Sequence, residues 1–283
     1  MHALVDRSPA VLMALALATQ ASALIAAAIP AARAQAAPSA PLGCPAPQLG
    51  GYVVAGQGRK GVTPLAELGQ ERWLPNGRIE GVRFSRQGKL FAEQRYLASY
   101  AVMPGCWVAV QRADRSGLMP SQVALDGAGR PKVGISTTAG VVFTSQYLPQ
   151  PERPCTVSQL DGLVISQQQG FTFKSAPAQS GPTQGGPSQS GSWQPNAVIQ
   201  REYWRGGKVS GLAVSSYGGK LQRAPYTGSL TLEAHCLGRL REVDGLGAVY
   251  NYRVVLLASG AGYLYIQSDP ADLTVGYLAH QRP

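Results

Sequence analysis

The sequence predicts an all-β protein built as a tandem duplication of two small antiparallel β-barrels. Three observations predict it. Short runs that alternate apolar and polar residues recur about every 8–12 residues. Turn dipeptides punctuate them. Cysteines and short words then recur in the same order in the two halves of the chain.

The strand runs come first. Tyr250 to Leu257 puts Tyr250, Tyr252, Val254 and Leu256 on one face, and Gly262 to Gln267 sets Leu264 and Ile266 opposite Tyr263 and Tyr265. Leu230 to Ala234 alternates, as does Glu80 to Ser85, where Val82 and Phe84 are expected to point inward and Arg83 outward. Asn76-Gly77, Asp126-Gly127, Gly206-Gly207, Gly218-Gly219 and Asp244-Gly245 are expected as hairpin turns. No 3.6-residue stripe follows the N-terminal segment, although Thr63 to Arg72 reads as one or two short helical turns. Closing each unit into a barrel removes exposed edges that no helix is available to cover. Two β-sandwiches are the alternative, but neither half shows the Cys…Trp…Cys spacing of the immunoglobulin class.

The repeat has five landmarks. Cys44 with Gln48-Leu49-Gly50-Gly51 matches Cys155 with Gln159-Leu160-Asp161-Gly162. Trp73-Leu-Pro-Asn76 matches Trp193-Gln-Pro-Asn196, and Gly88-Lys89-Leu90 matches Gly207-Lys208-Val209. Tyr96 stands before Cys106 as Tyr226 stands before Cys236, and Ala139-Gly140 to Phe143 matches Ala261-Gly262 to Tyr265. The offsets drift between 111 and 130, as loop insertions would make them. With one early and one central cysteine per copy, the simplest pairing is Cys44–Cys106 and Cys155–Cys236. Pairing between copies, or free thiols, is the other arrangement.

The chain begins with an uncharged apolar run, Ala10 to Ile29, after Arg7, and Ala32-Arg33-Ala34 fits a small-x-small cleavage rule. Residues 1–34 are therefore read as a secretory signal peptide cut at Ala34/Gln35. The run is Ala-rich, Pro30 breaks it, and no later segment can span a membrane as a helix. The expected organisation is a disordered segment 35–43, copy 1 over 44–150, a linker 151–154, and copy 2 over 155–283. Copy 2 carries a Gly/Pro/Ser/Gln tract, 175–191, that cannot bury enough apolar surface to order itself. The expected location is periplasmic or secreted, where disulfides persist.

The last 60 or so residues resemble a domain of uncharacterised secreted bacterial proteins, written Gly-x-Tyr-x-Val-x-x-Asp-Cys-x-Gly, then a strand pair, then Ile-Gln-x-Asp-Pro and a terminal Gly-Thr-x-x-x-Gln. Here these elements read Gly228 to Gly238 around Cys236, then Ile266-Gln267-Ser268-Asp269-Pro270, then Gly276 to Gln281. Leu230 stands where Tyr is usual, His235 where Asp is usual and Tyr277 where Thr is usual. The resemblance implies a calycin-like barrel and carries no activity.

No catalytic signature accompanies the fold. His235 and His280 lie in no metal-ligand spacing, and no nucleophile elbow, phosphate loop or dinucleotide fingerprint is present. No cofactor or metal is expected. Glu242 and Asp244 near Glu233 could pair for acid–base work, but such residues more often sit on solvated hairpins. After cleavage 23 Lys/Arg stand against 14 Asp/Glu, a net charge of +9 without a basic stripe. This suits loose attraction to anionic envelope material rather than nucleic acid.

Trp73, Phe84, Trp193, Tyr203, Trp204, Tyr250, Tyr252, Tyr263 and Tyr265 lie on or beside the expected strands. They either line an apolar ligand cavity or fill a solid core. The functional expectation is an exported, non-enzymatic protein that binds a small apolar ligand or an anionic envelope component. A structural role in assembly and a cofactor-free cyclase or isomerase are the alternatives. A cavity with a buried Glu, Tyr or Arg favours the enzyme, a dry cavity favours binding, and a filled barrel favours assembly.

Overall fold

The computed structural model describes residues 43–114, 117–150, 152–175, 191–257, 260–270 and 272–279. The leader 1–34, nearly all of 35–43, the body of the 175–191 tract and His280 lie outside the described residues.

The described residues form two closed eight-stranded barrels. Barrel 1 is β1 (Gly50–Lys60), β2 (Thr63–Leu74), β3 (Arg78–Gln87), β4 (Leu90–Met103), β5 (Trp107–Asp114), β6 (Gly117–Leu125), β7 (Pro131–Ser136) and β8 (Val141–Pro149). Barrel 2 is β9 (Gly162–Ser175), β10 (Gly191–Arg205), β11 (Lys208–Tyr217), β12 (Lys220–Leu232), β13 (Leu237–Asp244), β14 (Val249–Leu256), β15 (Tyr263–Gln267) and β16 (Asp272–Ala279). Each is an antiparallel meander whose last strand returns to its first. Tyr52 of β1 faces Pro149 of β8, and Thr172 of β9 faces Asp272 of β16. Closure rules out the sandwich alternative and leaves no free edge. All five expected turn dipeptides fall at strand connections, with Asp244 the last residue of β13.

Both expected disulfides are present. Cys44–Cys106 and Cys155–Cys236 have Cα atoms 5.1 and 5.2 Å apart. Each ties the segment entering a barrel to the turn after that barrel's fourth strand. Both bridges suit a compartment that keeps thiols oxidised. By loop entropy each stabilises by about 4 kcal/mol. Among the described residues no helix is long and apolar enough to cross a membrane.

The duplication is real, but three of its landmark words occupy different places. Trp73 ends β2 and its Pro75-Asn76 form the turn, whereas Trp193 lies near the start of β10. The equivalent of Trp73 is Trp204: Glu71-Arg-Trp73 closes β2 as Glu202-Tyr-Trp204 closes β10. Likewise Gly88-Lys89-Leu90, between β3 and β4, corresponds to Gly219-Lys220-Leu221 between β11 and β12. Ala139-Gly140 sits before the eighth strand of its barrel and Ala261-Gly262 before the seventh. The Tyr96–Cys106 and Tyr226–Cys236 pairs do occupy equivalent places.

Two further expectations are corrected by one fact: the outer walls of the barrels pack on each other. Val53, Ala66, Leu68 and Phe84 of barrel 1 share a buried cluster with Leu237, Val255, Leu257, Leu264 and Ile266 of barrel 2. Phe84 and Val82 thus point outward, into this seam, and Arg83 points into barrel 1. Thr63 to Arg72 is strand rather than helix. Its two faces are both buried over much of its length, so it loses the polar/apolar alternation that marks a half-solvated strand.

Polar contacts fasten the seam. Gln150 Nε2 donates to Leu256 O at 2.7 Å, and Gln70 Nε2 to His235 O at 2.8 Å. Arg86, fully buried, donates to the carbonyls of Gln267 and Asp269. Arg253 lies 4.6 Å over the Phe84 ring and bonds Glu93 across the seam at 3.2 Å. Phe84→Ala is expected to cost roughly 3–5 kcal/mol. Because the lost contact joins the barrels, calorimetry should show the single unfolding transition of the parent broaden or split into two.

Candidate functional site

Each barrel is filled with apolar side chains at its disulfide end and hollow toward the other. The floor of barrel 1 is Tyr52, Trp73, Ile79, Val108, Val110, Val123 and Tyr147. That of barrel 2 includes Leu160, Val164, Trp204, Val209, Leu240, Leu256 and Tyr263. Above these floors lie cavities of about 390 Å³ in barrel 1 and about 370 Å³ in barrel 2. A wider groove of about 790 Å³ runs between the barrels, but Arg59, stacked 4.7 Å over Phe171, is the one charged residue among its described lining. The chemistry lies inside the barrels.

A carboxylate on the second strand organises each interior. In barrel 1, Glu71 is buried and accepts from Trp73 Nε1 at 3.0 Å and from the Tyr96 hydroxyl at 2.6 Å. Tyr96 reaches it because Gly81 stands opposite on β3, where a Cβ would come within 2.5 Å of the Tyr96 ring. Barrel 2 repeats the device. Glu202, fully buried, accepts from Trp204 Nε1 at 2.7 Å, Tyr226 at 2.9 Å and Tyr263 at 3.1 Å. Gly211 clears the way for the Tyr226 ring at 2.7 Å.

The barrels differ at the fifth strand. Cys106 and Cys236 set the register, so Arg112 of β5 corresponds to Glu242 of β13. Arg112 closes the charge balance in barrel 1, with Nε and Nη2 at 2.8 and 2.6 Å from Glu71 Oε1. It also donates to Ser121 at 2.5 Å and to Tyr147 at 2.6 Å. Burial opposes its charge most strongly of any single cause, but Glu71, Tyr147 and Tyr96 together outweigh it and hold its pKa well above the usual value. Barrel 2 has a second acid there and no cation. Glu242 is buried, lines the cavity and accepts from Tyr252 and Gln200.

Burial pushes the pKa of both barrel 2 acids up, and the Glu202 charge pushes Glu242 further. The donors around Glu202 oppose its shift.

The nine aromatic residues singled out from the sequence do not form one site. Trp73 is in the floor of barrel 1, and Phe84 and Trp193 pack at the seam, the latter against Phe173 at 5.2 Å between ring centroids. Tyr203 faces outward, 49 % exposed, under Arg201. Trp204, Tyr250, Tyr252, Tyr263 and Tyr265 lie in barrel 2, but only Tyr250 and Tyr252 line its cavity. Burial raises the hydroxyl pKa of Tyr252, Tyr263 and Tyr265, and the neighbouring acids raise it further, so these groups act as neutral donors.

The carboxylate trio separates. Glu233 faces outward, where Arg253 and Arg239 pull its pKa down to about 2. Asp244 caps the β13–β14 hairpin, accepting from Leu246 N and Ala248 N at 2.9 Å. Glu242 is the one of the three that is buried, so it is not a solvated hairpin residue, and its charge partner is Glu202. Glu202, Gln168, Asn196 and Gln200 were not singled out. The shared Glu-x-Trp word was the available signal for Glu202. Among the described residues no group of three or more His, Cys, Asp or Glu could hold a metal ion.

The acids imply a pH-dependent stability. A carboxyl with a raised folded pKa costs nothing below the unfolded value near 4.3, and destabilises increasingly as pH rises above it. Glu242→Gln should match the parent at pH ~4 and exceed it by roughly 1–3 kcal/mol at pH ~8. Arg112→Met should instead cost roughly 3–5 kcal/mol at neutral pH, because it leaves Glu71 without its cation. Denaturant titrations across pH check both.

No family model matches this chain, and no curated protein sequence matches it.

Proposed function

We propose that the chain is an exported, non-catalytic binding protein in which barrel 2 receives a small molecule and barrel 1 supports it. The observation that carries this reading is the exchange of Arg112 for Glu242 at equivalent positions. Barrel 1 neutralises its interior with its own ion pair. Barrel 2 leaves a buried acid on the wall of a cavity of about 370 Å³, within the size range of small-ligand sites. The lining carries Glu242, Asn196, Gln168 and Gln200, so it favours a ligand that forms hydrogen bonds over a purely apolar one.

Export is supported by the apolar leader with its Ala34/Gln35 cut and by the two disulfides. The net charge of +9 on the cleaved chain supports loose retention near anionic envelope material. A calycin-like ancestry is consistent with the barrels.

Glu242 also supports a second reading, a cofactor-free isomerase or cyclase, since a carboxyl whose pKa is raised by burial can serve as a proton donor. Catalysis would need a base as well. Glu202, saturated by Trp204, Tyr226 and Tyr263 and absent from the cavity lining, is poorly placed for that. Binding is therefore the leading reading.

Native mass spectrometry of the protein recovered from its exported location tests it, together with a thermal-shift screen of small polar compounds. The expected result is a co-purifying mass or a stabilising compound, lost in Ala213→Trp, which fills the cavity from β11. Binding that survives this variant would move the site out of barrel 2, and no mass and no stabilising compound would overturn the binding reading.

A further inference from the structure

Several buried hydrogen-bonding groups around the barrel 2 cavity are engaged with one another, and among them two acceptors stand out. The hydroxyls of Tyr226 and Tyr263 donate to Glu202 at 2.9 and 3.1 Å. Tyr265 donates to Gln168 Oε1 at 2.5 Å, and Ser166 to Gln200 Oε1 at 2.6 Å. Tyr252 and the Gln200 amide are turned to Glu242. Asn196 is 7 % exposed and lines the cavity; its Nδ2 donates to Thr172, and its Oδ1 is buried without a partner. A buried carbonyl oxygen of this kind normally has a donor. The cavity wall thus carries Glu242 and, buried within it, the unpaired carbonyl oxygen of Asn196.

Its electrostatics agree. Arg223 is the one cation among the lining residues and is exposed. The lining acids are Glu242 and Asp244, and the rings of Tyr250 and Tyr252 stand in the same wall. Barrel 1 shows what completes such an interior, because at the position of Glu242 it carries the guanidinium of Arg112.

We infer that the barrel 2 cavity binds a small organic cation, whose ammonium or guanidinium head donates to Glu242 and Asn196 Oδ1 and supplies the positive charge that Arg112 supplies in barrel 1. This rests on the binding reading above and adds the class of ligand. Carboxylate, amide carbonyl and aromatic faces are together the groups that recognise a protonated amine. At about 30 Å³ per water-sized group, the cavity holds roughly a dozen heavy atoms, so a single ring or short chain on the charged head fills it.

The test is calorimetric titration of the full exported chain with two cations, phenethylamine and agmatine. Their controls are 2-phenylethanol, which is neutral, and 3-phenylpropionate, which is anionic. At least one cation should bind with a Kd below about 1 mM, at least about tenfold more tightly than either control. Glu242→Gln and Asn196→Ala should each weaken it by about tenfold or more, with unfolding transitions and circular dichroism showing both variants folded. Asn196→Ala keeps the test valid should Glu242→Gln not fold. Equal binding of cations and controls overturns the cation assignment while leaving barrel 2 a binding site. So does failure of both cations when native mass spectrometry finds another ligand. Failure of every probe with no co-purifying mass overturns the binding reading as well.

Discussion

A carboxylate enclosed in a barrel has to be surrounded by donors, and that requirement shapes both halves of this chain. An ionised carboxyl taken out of water without partners is prohibitively unstable. Glu71 and Glu202 meet the demand in the same way, with a tryptophan two residues along the strand and a tyrosine two strands away. The tyrosine reaches across the intervening strand only because a glycine there leaves room for its ring. Four residue types on three strands are thereby tied to one oxygen pair. The fifth strand then decides the outcome: arginine makes barrel 1 self-contained, and glutamate leaves barrel 2 with an interior lacking its counter-charge.

That division distinguishes the two copies of one fold. Barrel 1 has an apolar floor and an internal ion pair, with Arg83 held by Glu67 and Gln94 higher in its cavity. Barrel 2 keeps the floor and the Trp–Tyr–carboxylate hub but replaces the Arg112–Ser121 contact with Glu242–Tyr252. Its interior polar groups bond to one another, but no cation stands at the position of Arg112.

Much of the architecture was legible because it rests on local signals. Turn dipeptides, period-two runs and cysteine spacing each depend on neighbouring residues, and they led to the all-β class, the hairpins and both disulfides. Non-local facts were harder to read. Val82 and Phe84 look like the inward face of a half-solvated strand, yet the second barrel covers that strand's outer side, so the apolar positions are the external ones. The Trp-x-Pro-Asn words suggested a register that the strands do not share, because Trp193 belongs to the seam and Trp204 to the hub. The acid pair was hidden for a similar reason. Glu202 and Glu242 are far apart in sequence, and closure of the barrel brings them together. Of the aromatic list, which spans both barrels, Tyr250 and Tyr252 are the only members on the wall of the barrel 2 cavity.

The seam joins unlike faces: β1–β3 of one barrel meet β13–β16 of the other. The counterparts of those faces carry exposed apolar side chains. Val133 and Ile135, at the positions of Leu264 and Ile266, are 50 % and 47 % exposed, and Ile199, at the position of Leu68, is 59 % exposed. A contact between unlike faces has no two-fold axis, so separate single barrels joined by it would extend as a ring or an open array rather than close as a pair. Covalent fusion instead places one such contact inside a single chain and makes the first barrel's wall a permanent part of the second's foundation.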